Sequence, residues 1–258
     1  LAQRDADTAQ LRELYARYEC RGALKDLDAA EQATGIVEQQ AGEARAVEPA
    51  VLSGPVAVID AALSAPGDYE LVTTQAQVDA WLERLHRAEL IAFDTETTSI
   101  NAMRADIVGI SFAVEPGKAC YIPLGHDYPG APQQLDRDEV LRALKPIFED
   151  PTRPKLGQHA KYDINILSNY GIVVQGLKHD SMLESYVWNA TATRHDMDSL
   201  AKKYLGYETV KYEEVAGKGA RQISFSQVDL DTACRYAAED SDITLRLHLA
   251  LWPKLESV

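Results

Sequence analysis

Apolar residues follow three different rhythms along this chain. Leu11, Leu14, Tyr15 and Tyr18 recur at i, i+3, i+4 and i+7, and Leu24 and Leu27 continue the stripe. That spacing predicts a helical segment within residues 1–28. Over 29–55 the periodicity is lost in favour of Ala, Glu, Gln, Gly and Pro, the composition of a flexible linker. A domain boundary is therefore expected within 29–66, with one compact domain over 67–258.

Inside that domain the rhythm alternates between two and 3.6. Residues 69–72 read as a strand. Thr74 can cap a helix over 75–87 that turns Val78, Trp81, Leu82 and Leu85 inward. Residues 90–96, 107–114 and 119–124 read as three strands whose short connections predict an antiparallel meander. An amphipathic helix follows over 136–148, with Val140, Leu141, Leu144 and Ile147 on its apolar face. A short strand at 155–158 precedes a helix over 160–170 that Gly171 stops. The polar stretch 207–223, with Gly217 and Gly219, reads as a mobile loop. A last helix is expected over 230–251, ending at Pro253. Strands first and helices after predict an α/β or α+β domain built on a mixed sheet.

Composition narrows the function classes. Three cysteines, Cys20, Cys120 and Cys234, lie far apart without a CxxC pair. This fits neither a disulfide framework nor a zinc site and points to a reducing compartment. No run of 18 apolar residues occurs, and the first residues are charged, so neither a membrane span nor a signal peptide is expected. The formal charge of −14 argues against a protein that grips duplex DNA by charge alone. It leaves room for an enzyme that holds a nucleic-acid end through metal ions, which invert the local field. The chain opens on Leu1, which reads as part of a longer polypeptide.

The chemistry concentrates in three carboxylate-bearing segments. In Ile91-Ala92-Phe93-Asp94-Thr95-Glu96 an apolar strand runs into two acids, and strand alternation puts Asp94 and Glu96 on one face. In Gly157-Gln158-His159-Ala160-Lys161-Tyr162-Asp163 a strand end runs into a helix whose first turn holds Asp163. In Tyr236-Ala237-Ala238-Glu239-Asp240, Tyr236 and Asp240 share a face of the last helix at i and i+4. Like charges brought together repel unless a cation sits between them. Asp94, Glu96, Asp163 and Asp240 together would suit two hard divalent cations, Mg²⁺ or Mn²⁺. An ion pair roughly 3.5–4 Å apart is the arrangement used for phosphodiester cleavage. Taken singly, each group has a plainer reading: Asp163 a helix-start charge, Tyr236 a core tyrosine, Asp240 part of a solvated helix face with Glu239 and Asp242, Phe225 an apolar anchor. Lys211, Lys218 and Arg221 are equally phosphate contacts or a solvated loop, and His126, His179, His195 and His248 have no ligand-set spacing.

In their order and spacing these segments resemble the motifs of the DEDD superfamily, and specifically the 3′→5′ proofreading exonuclease domains of the bacterial DNA polymerase I family (family A polymerases). The likeness extends to Ser181-Met182-Leu183-Glu184-Ser185-Tyr186, Arg194-His195-Asp196-Met197-Asp198-Ser199-Leu200 and Ala216-Gly217-Lys218-Gly219. It covers about residues 68–258. Residues 9–27 resemble the end of the 5′-nuclease domain of the same polypeptides, so 1–28 would be the C-terminal remnant of that domain. The resemblance implies a ribonuclease H-like fold, a mixed β-sheet flanked by helices. It implies that Asp94 bridges two metal ions, that Glu96 and Asp240 complete the first, and that Asp163 serves the second. Tyr236 would orient the nucleophile and marks the tyrosine subclass. Ile100 and Phe225 match positions that wedge and stack on the terminal nucleotide. His159 stands where the family usually has Asn, which implies a modest change in contacts around the substrate. Implied partners are a single-stranded or frayed DNA 3′ end and the polymerase and 5′-nuclease domains of the same parent chain, in a cytoplasmic, monomeric protein that associates with no membrane. Two alternatives stay open: a ribonuclease D-like 3′→5′ exoribonuclease, and a scaffold that binds DNA ends without catalysis.

Overall fold

The computed structural model describes residues 8–17, 27, 61–191 and 193–256, and the chain divides into two compact units, Leu1–Val56 and Ala57–Val258. Among the described residues of the first unit, Thr8–Arg17 form the helix α1, while Tyr18 and Leu24 of the predicted stripe lie outside the described residues. The linker expected over 29–55 lies outside the described residues.

The second unit begins with a helical turn, α2 (Ala61–Ser64), and a six-stranded sheet follows. Its strands are β1 (Asp68–Leu71), β2 (Ile91–Thr97), β3 (Ile107–Glu115), β4 (Lys118–Pro123), β5 (Lys155–Gly157) and β6 (Leu177–Asp180). Their spatial order is β1-β4-β3-β2-β5-β6. The predicted meander is present: β2 and β3 pair antiparallel, as do β3 and β4. β1 joins β4, β5 joins β2 and β6 joins β5 in parallel, so the sheet is mixed. Sequence reading missed β6, four residues with one apolar side chain.

Helices cover both faces. On one face α3 (Gln75–Arg87), α4 (Arg137–Glu149) and α5 (Lys161–Asn169) pack on Ile91, Phe93, Ile110 and Phe112. Thr74 caps α3 in a capping box with Gln77, and Asp136 caps α4. On the other face α9 (Leu230–Glu256) lies across Ala92, Val108, Ala113 and Tyr121 through Ala233, Cys234, Ala237 and Ala238. Small residues on α9 let the helix sit close to the strands, and this closeness brings its polar side chains to the sheet end. Further along α9, buried Arg246 pairs with Asp242 at 2.5 Å. Tyr69 Oη and the Gly117 N–H donate to the same carboxylate, at 2.9 and 2.8 Å. A desolvated ion pair is tolerated when its remaining hydrogen-bonding capacity is met in this way.

Two expectations are corrected. The last helix does not stop at Pro253 but continues to Glu256. The bond that proline cannot make falls in the last turn, to the carbonyl of Leu249, an exposed residue, so the helix loses little there. The stretch 207–223 is not a structureless loop. It folds into α8 (Tyr212–Ala216) and a 3₁₀ turn at Gly219–Arg221, after a π-helical turn at Ala201–Leu205 that extends α7 (Met197–Leu200). Glu239 on α9 fastens this stretch, accepting from Tyr207 Oη at 2.8 Å and from the Val210 N–H at 2.6 Å.

Candidate active site

Strand alternation builds the site. Asp94 and Glu96 continue the face of Ala92 and point to α9; Thr95 continues the face of Phe93 and points to α5. From α9 comes Asp240, and the ligand oxygens of Asp94, Glu96 and Asp240 lie within 4.8 Å of one another. From the first turn of α5 comes Asp163, whose Oδ1 accepts from the Thr95 N–H at 3.0 Å and from Thr95 Oγ1 at 2.5 Å. Three elements from three layers thus bring the predicted acids to the end of β2, with Asp163 beside the cluster of the other three and off the cavity wall. A register shift between Glu96 and Thr97 ends the regular pairing there.

The four acids do not ionise independently. Burial pushes the Asp94 carboxyl up to about 6. Glu96 is driven well above the usual carboxylate range, first by burial and then by Asp94, Asp240 and Asp163. Asp163 and Asp240 are raised in the same way, with Asp94 the main charged neighbour of each. Such a cluster resists full ionisation on its own and accommodates it when cations are shared. Its donors are all carboxylate oxygens, the set that suits hard divalent ions.

A cavity of about 890 Å³ opens over this cluster, lined by Asp94, Glu96, Asp240, Tyr236, His159, Tyr162, Tyr212 and Ile100 among others. Tyr236 stands beside Asp240, and burial followed by that carboxylate keeps its hydroxyl protonated. Ile100 is 98% exposed at the rim. The loop that carries it is fastened by Tyr162, whose hydroxyl contacts Thr97 Oγ1 and donates to the Ser99 carbonyl, both at 2.5 Å.

His159 lies on the cavity wall with φ +60°, the only described non-glycine residue with positive φ. This left-handed conformation favours Asn and, more weakly, His. The backbone thus accounts for both residue types at this position. Asp180 holds the turn, accepting from the His159 N–H at 3.2 Å and the Ala160 N–H at 2.9 Å while it caps α6 (Ser181–Asn189).

Phe225, the residue expected to stack on the terminal nucleotide, lines the cavity. It is 1% exposed, packed among Tyr121, His126, Tyr212 and Tyr236. The exposed aromatic of this wall is Tyr212, 36% exposed and stacked on Phe225 with ring centroids 6.4 Å apart. Sequence reading missed Tyr212, as it missed Thr95, Tyr162 and Asp180. Lys211, Lys218 and Arg221 do not line the cavity, and Lys218 pairs with Glu213 at 2.8 Å. His126 and His195 are structural: His126 bridges Tyr121 Oη and the Val228 carbonyl, and His195 bonds Ser185 and stacks on Tyr186.

A mixed sheet with helices on both faces, and a carboxylate cluster at the end of its central strand, define a ribonuclease H-like 3′–5′ exonuclease fold. The chain belongs to the 3′–5′ exonuclease family, whose pattern matches residues 69–256. It is 61% identical over 198 residues to DNA polymerase I of Pseudomonas aeruginosa, covering 76% of this chain and 22% of that protein. It is 39% identical over 204 residues to DNA polymerase I of Rhizobium leguminosarum, covering 72% and 20%. The chain thus spans about a fifth of the length of these relatives. Among solved structures, Escherichia coli RNase D aligns with a TM-score of 0.54 at 19% identity, over 74% of this chain and 46% of that one. The POL domain of Pol1 from M. smegmatis aligns with a TM-score of 0.55 at 19% identity, over 73% and 28%.

Proposed function

We propose that this domain removes single nucleotides from DNA 3′ ends, with a preference for frayed or single-stranded termini, as the proofreading part of a longer DNA polymerase I chain. The observation that carries this reading is the meeting of Asp94, Glu96 and Asp240 beside Tyr236 in a cavity of a size to take a chain end, with Asp163 held just behind it by Thr95. Asp94, Glu96 and Asp240 would hold one Mg²⁺ or Mn²⁺ ion, and Asp94 with Asp163 a second. When bound, such ions activate a water and stabilise the leaving 3′ oxygen.

The chain's own groups supply the positioning. Tyr236, held protonated, orients the attacking water by donating a hydrogen bond. Thr95 fixes the orientation of Asp163. Ile100 wedges against the last base, and Tyr212 gives it a stacking face that tolerates any sequence. Pulling the end out of a duplex costs unpairing, which a mismatch lowers, and this favours mispaired termini. The parent chain would carry polymerase and 5′-nuclease domains, residues 1–28 being the remnant of the latter, and would act as a cytoplasmic monomer.

The RNase D likeness is one of fold, while the 61% identity lies with a DNA polymerase I, and this favours DNA over RNA as substrate. The test is parallel digestion of DNA and RNA oligonucleotides of one sequence with Mg²⁺. The reading expects faster shortening of DNA, abolished by Asp94→Asn. Faster shortening of RNA would replace it with the exoribonuclease reading, and binding without digestion would replace it with the scaffold reading.

A further inference from the structure

Away from the cavity, three side chains with no sequence spacing to connect them converge. His179 lies in β6, Glu184 in the first turn of α6 and His248 in α9. Both imidazoles turn Nδ1 to one carboxylate oxygen: His248 Nδ1 is 2.7 Å and His179 Nδ1 is 3.3 Å from Glu184 Oε1. The two rings are 4.2 Å apart, and Trp252 packs against both, at 4.4 and 5.7 Å. Glu184 is 5% exposed and His248 6%.

The cluster is incompletely satisfied. Glu184 Oε2 is buried without a hydrogen-bond partner, and His179 Nδ1, although close to Oε1, lacks the geometry of a hydrogen bond. A buried carboxylate oxygen with no donor is costly. A cation shared by the carboxylate and the two imidazoles would give His179 Nδ1 the partner it lacks and draw the carboxylate's charge into a bond. The ligand atoms already lie within 4.8 Å of one another. Two atoms each about 2.0–2.1 Å from a tetrahedral ion stand about 3.3 Å apart, which is the His179–Glu184 separation, while the 2.7 Å His248–Glu184 hydrogen bond would give way to metal ligation and open to that spacing.

We propose that His179, Glu184 and His248 form a second metal site, for one transition-metal ion of the zinc class. Its ligand chemistry differs from that of the catalytic cluster. Two imidazoles and one carboxylate suit zinc, whereas an all-carboxylate set suits magnesium or manganese. The side chain of His179 is 17% exposed, which leaves an entry path and room for a water as fourth ligand. The ion would clamp β6 and α6 to the far part of α9. His179 precedes Asp180, the residue that holds the His159 turn, so the clamp steadies the strand end from which the Asp163 helix starts.

The test uses the full chain carrying Asp94→Asn and Asp240→Asn, so that the catalytic acids do not contribute, titrated calorimetrically with ZnCl₂ alone. The expected result is one equivalent bound, a rise in Tm with Zn²⁺, and quenching of tryptophan fluorescence by Cu²⁺ from Trp252. Adding His248→Gln or His179→Gln weakens Zn²⁺ binding by more than the roughly 10–100-fold typical of losing an outer hydrogen-bond partner. His179→Gln is the control for folding, since His179 is the more exposed histidine. No Zn²⁺ binding in the acid-less background, or binding unchanged by both histidine substitutions, overturns the proposal.

Discussion

Asp163 is held by Thr95: one carboxylate oxygen accepts both the backbone N–H and the hydroxyl of a residue 68 positions earlier. The strand thereby sets the orientation of a helix-borne acid, and the side chain between Asp94 and Glu96 acts in the site although it points to the other face. Hydrogen bonds to a charged group contribute about 1.5–3 kcal/mol. Thr95→Val, which keeps the N–H but removes the hydroxyl, is expected to lower kcat roughly 10–100-fold, with Thr95→Ser close to wild type. Single-turnover digestion of a DNA oligonucleotide measures this. Equal rates for Val and wild type would show that the hydroxyl does not position Asp163.

The raised carboxyls give the metal-free domain a pH dependence of definite sign. With Asp94 near 6 in the folded chain and about 3.9 when unfolded, the folded state binds more protons between these values. Stability is therefore highest below the unfolded pKa and falls as pH rises through the folded one. The loss from Asp94 is on the order of 2–3 kcal/mol by pH 7. In EDTA, Tm of the wild type should drop between pH 4.5 and 7.5, and that of Asp94→Asn should drop less. Saturating Mg²⁺ or Mn²⁺ should restore the lost Tm at pH 7.5. A flat wild-type profile in EDTA contradicts the electrostatic account.

His159 carries a backbone constraint independent of its ring. At φ +60° a β-branched residue is strained by about 1–2 kcal/mol, whereas Asn is well suited. His159→Asn should keep stability and exonuclease rate near wild type, while His159→Val should lower the stability measured by urea unfolding by about that amount. Equal stability of Val and His would place the left-handed turn in doubt.

Glu239 keeps 207–216 in place through Tyr207 and Val210. Glu239→Ala removes both contacts and leaves the Val210 N–H without its partner, a loss of about 1–3 kcal/mol. Trypsin should then cut faster after Lys211 and Lys218, and KM for single-stranded DNA should rise because Tyr212 is no longer held at the wall. Unchanged cleavage would show that the segment is held by other contacts.

The sequence made the meander, its flanking helices and the four acids readable, because each leaves a local signature: alternation into β2, a cap and stripe in α3, Tyr236 and Asp240 one helical turn apart. What stayed hidden was decided by tertiary contact. β6 is too short and polar to show a period. The order in 207–223 draws on distant partners, Glu239 for Tyr207 and Val210 and Asp198 for Thr209. Phe225 and Tyr212 are both aromatic in sequence and both line the cavity, and only packing decides that the first is covered and the second exposed. The convergence of His179, Glu184 and His248 draws on β6, α6 and α9, a strand and two helices that no spacing rule joins.

The most direct test of the central claim is digestion of a 5′-labelled single-stranded DNA by wild type and Asp94→Ala, each with Mg²⁺ or EDTA. A ladder that shortens one nucleotide at a time, and disappears with EDTA or with the substitution, is the result expected of the Asp94 cluster as a metal-dependent 3′→5′ exonuclease site. An equal ladder in EDTA, or from folded Asp94→Ala, would contradict it.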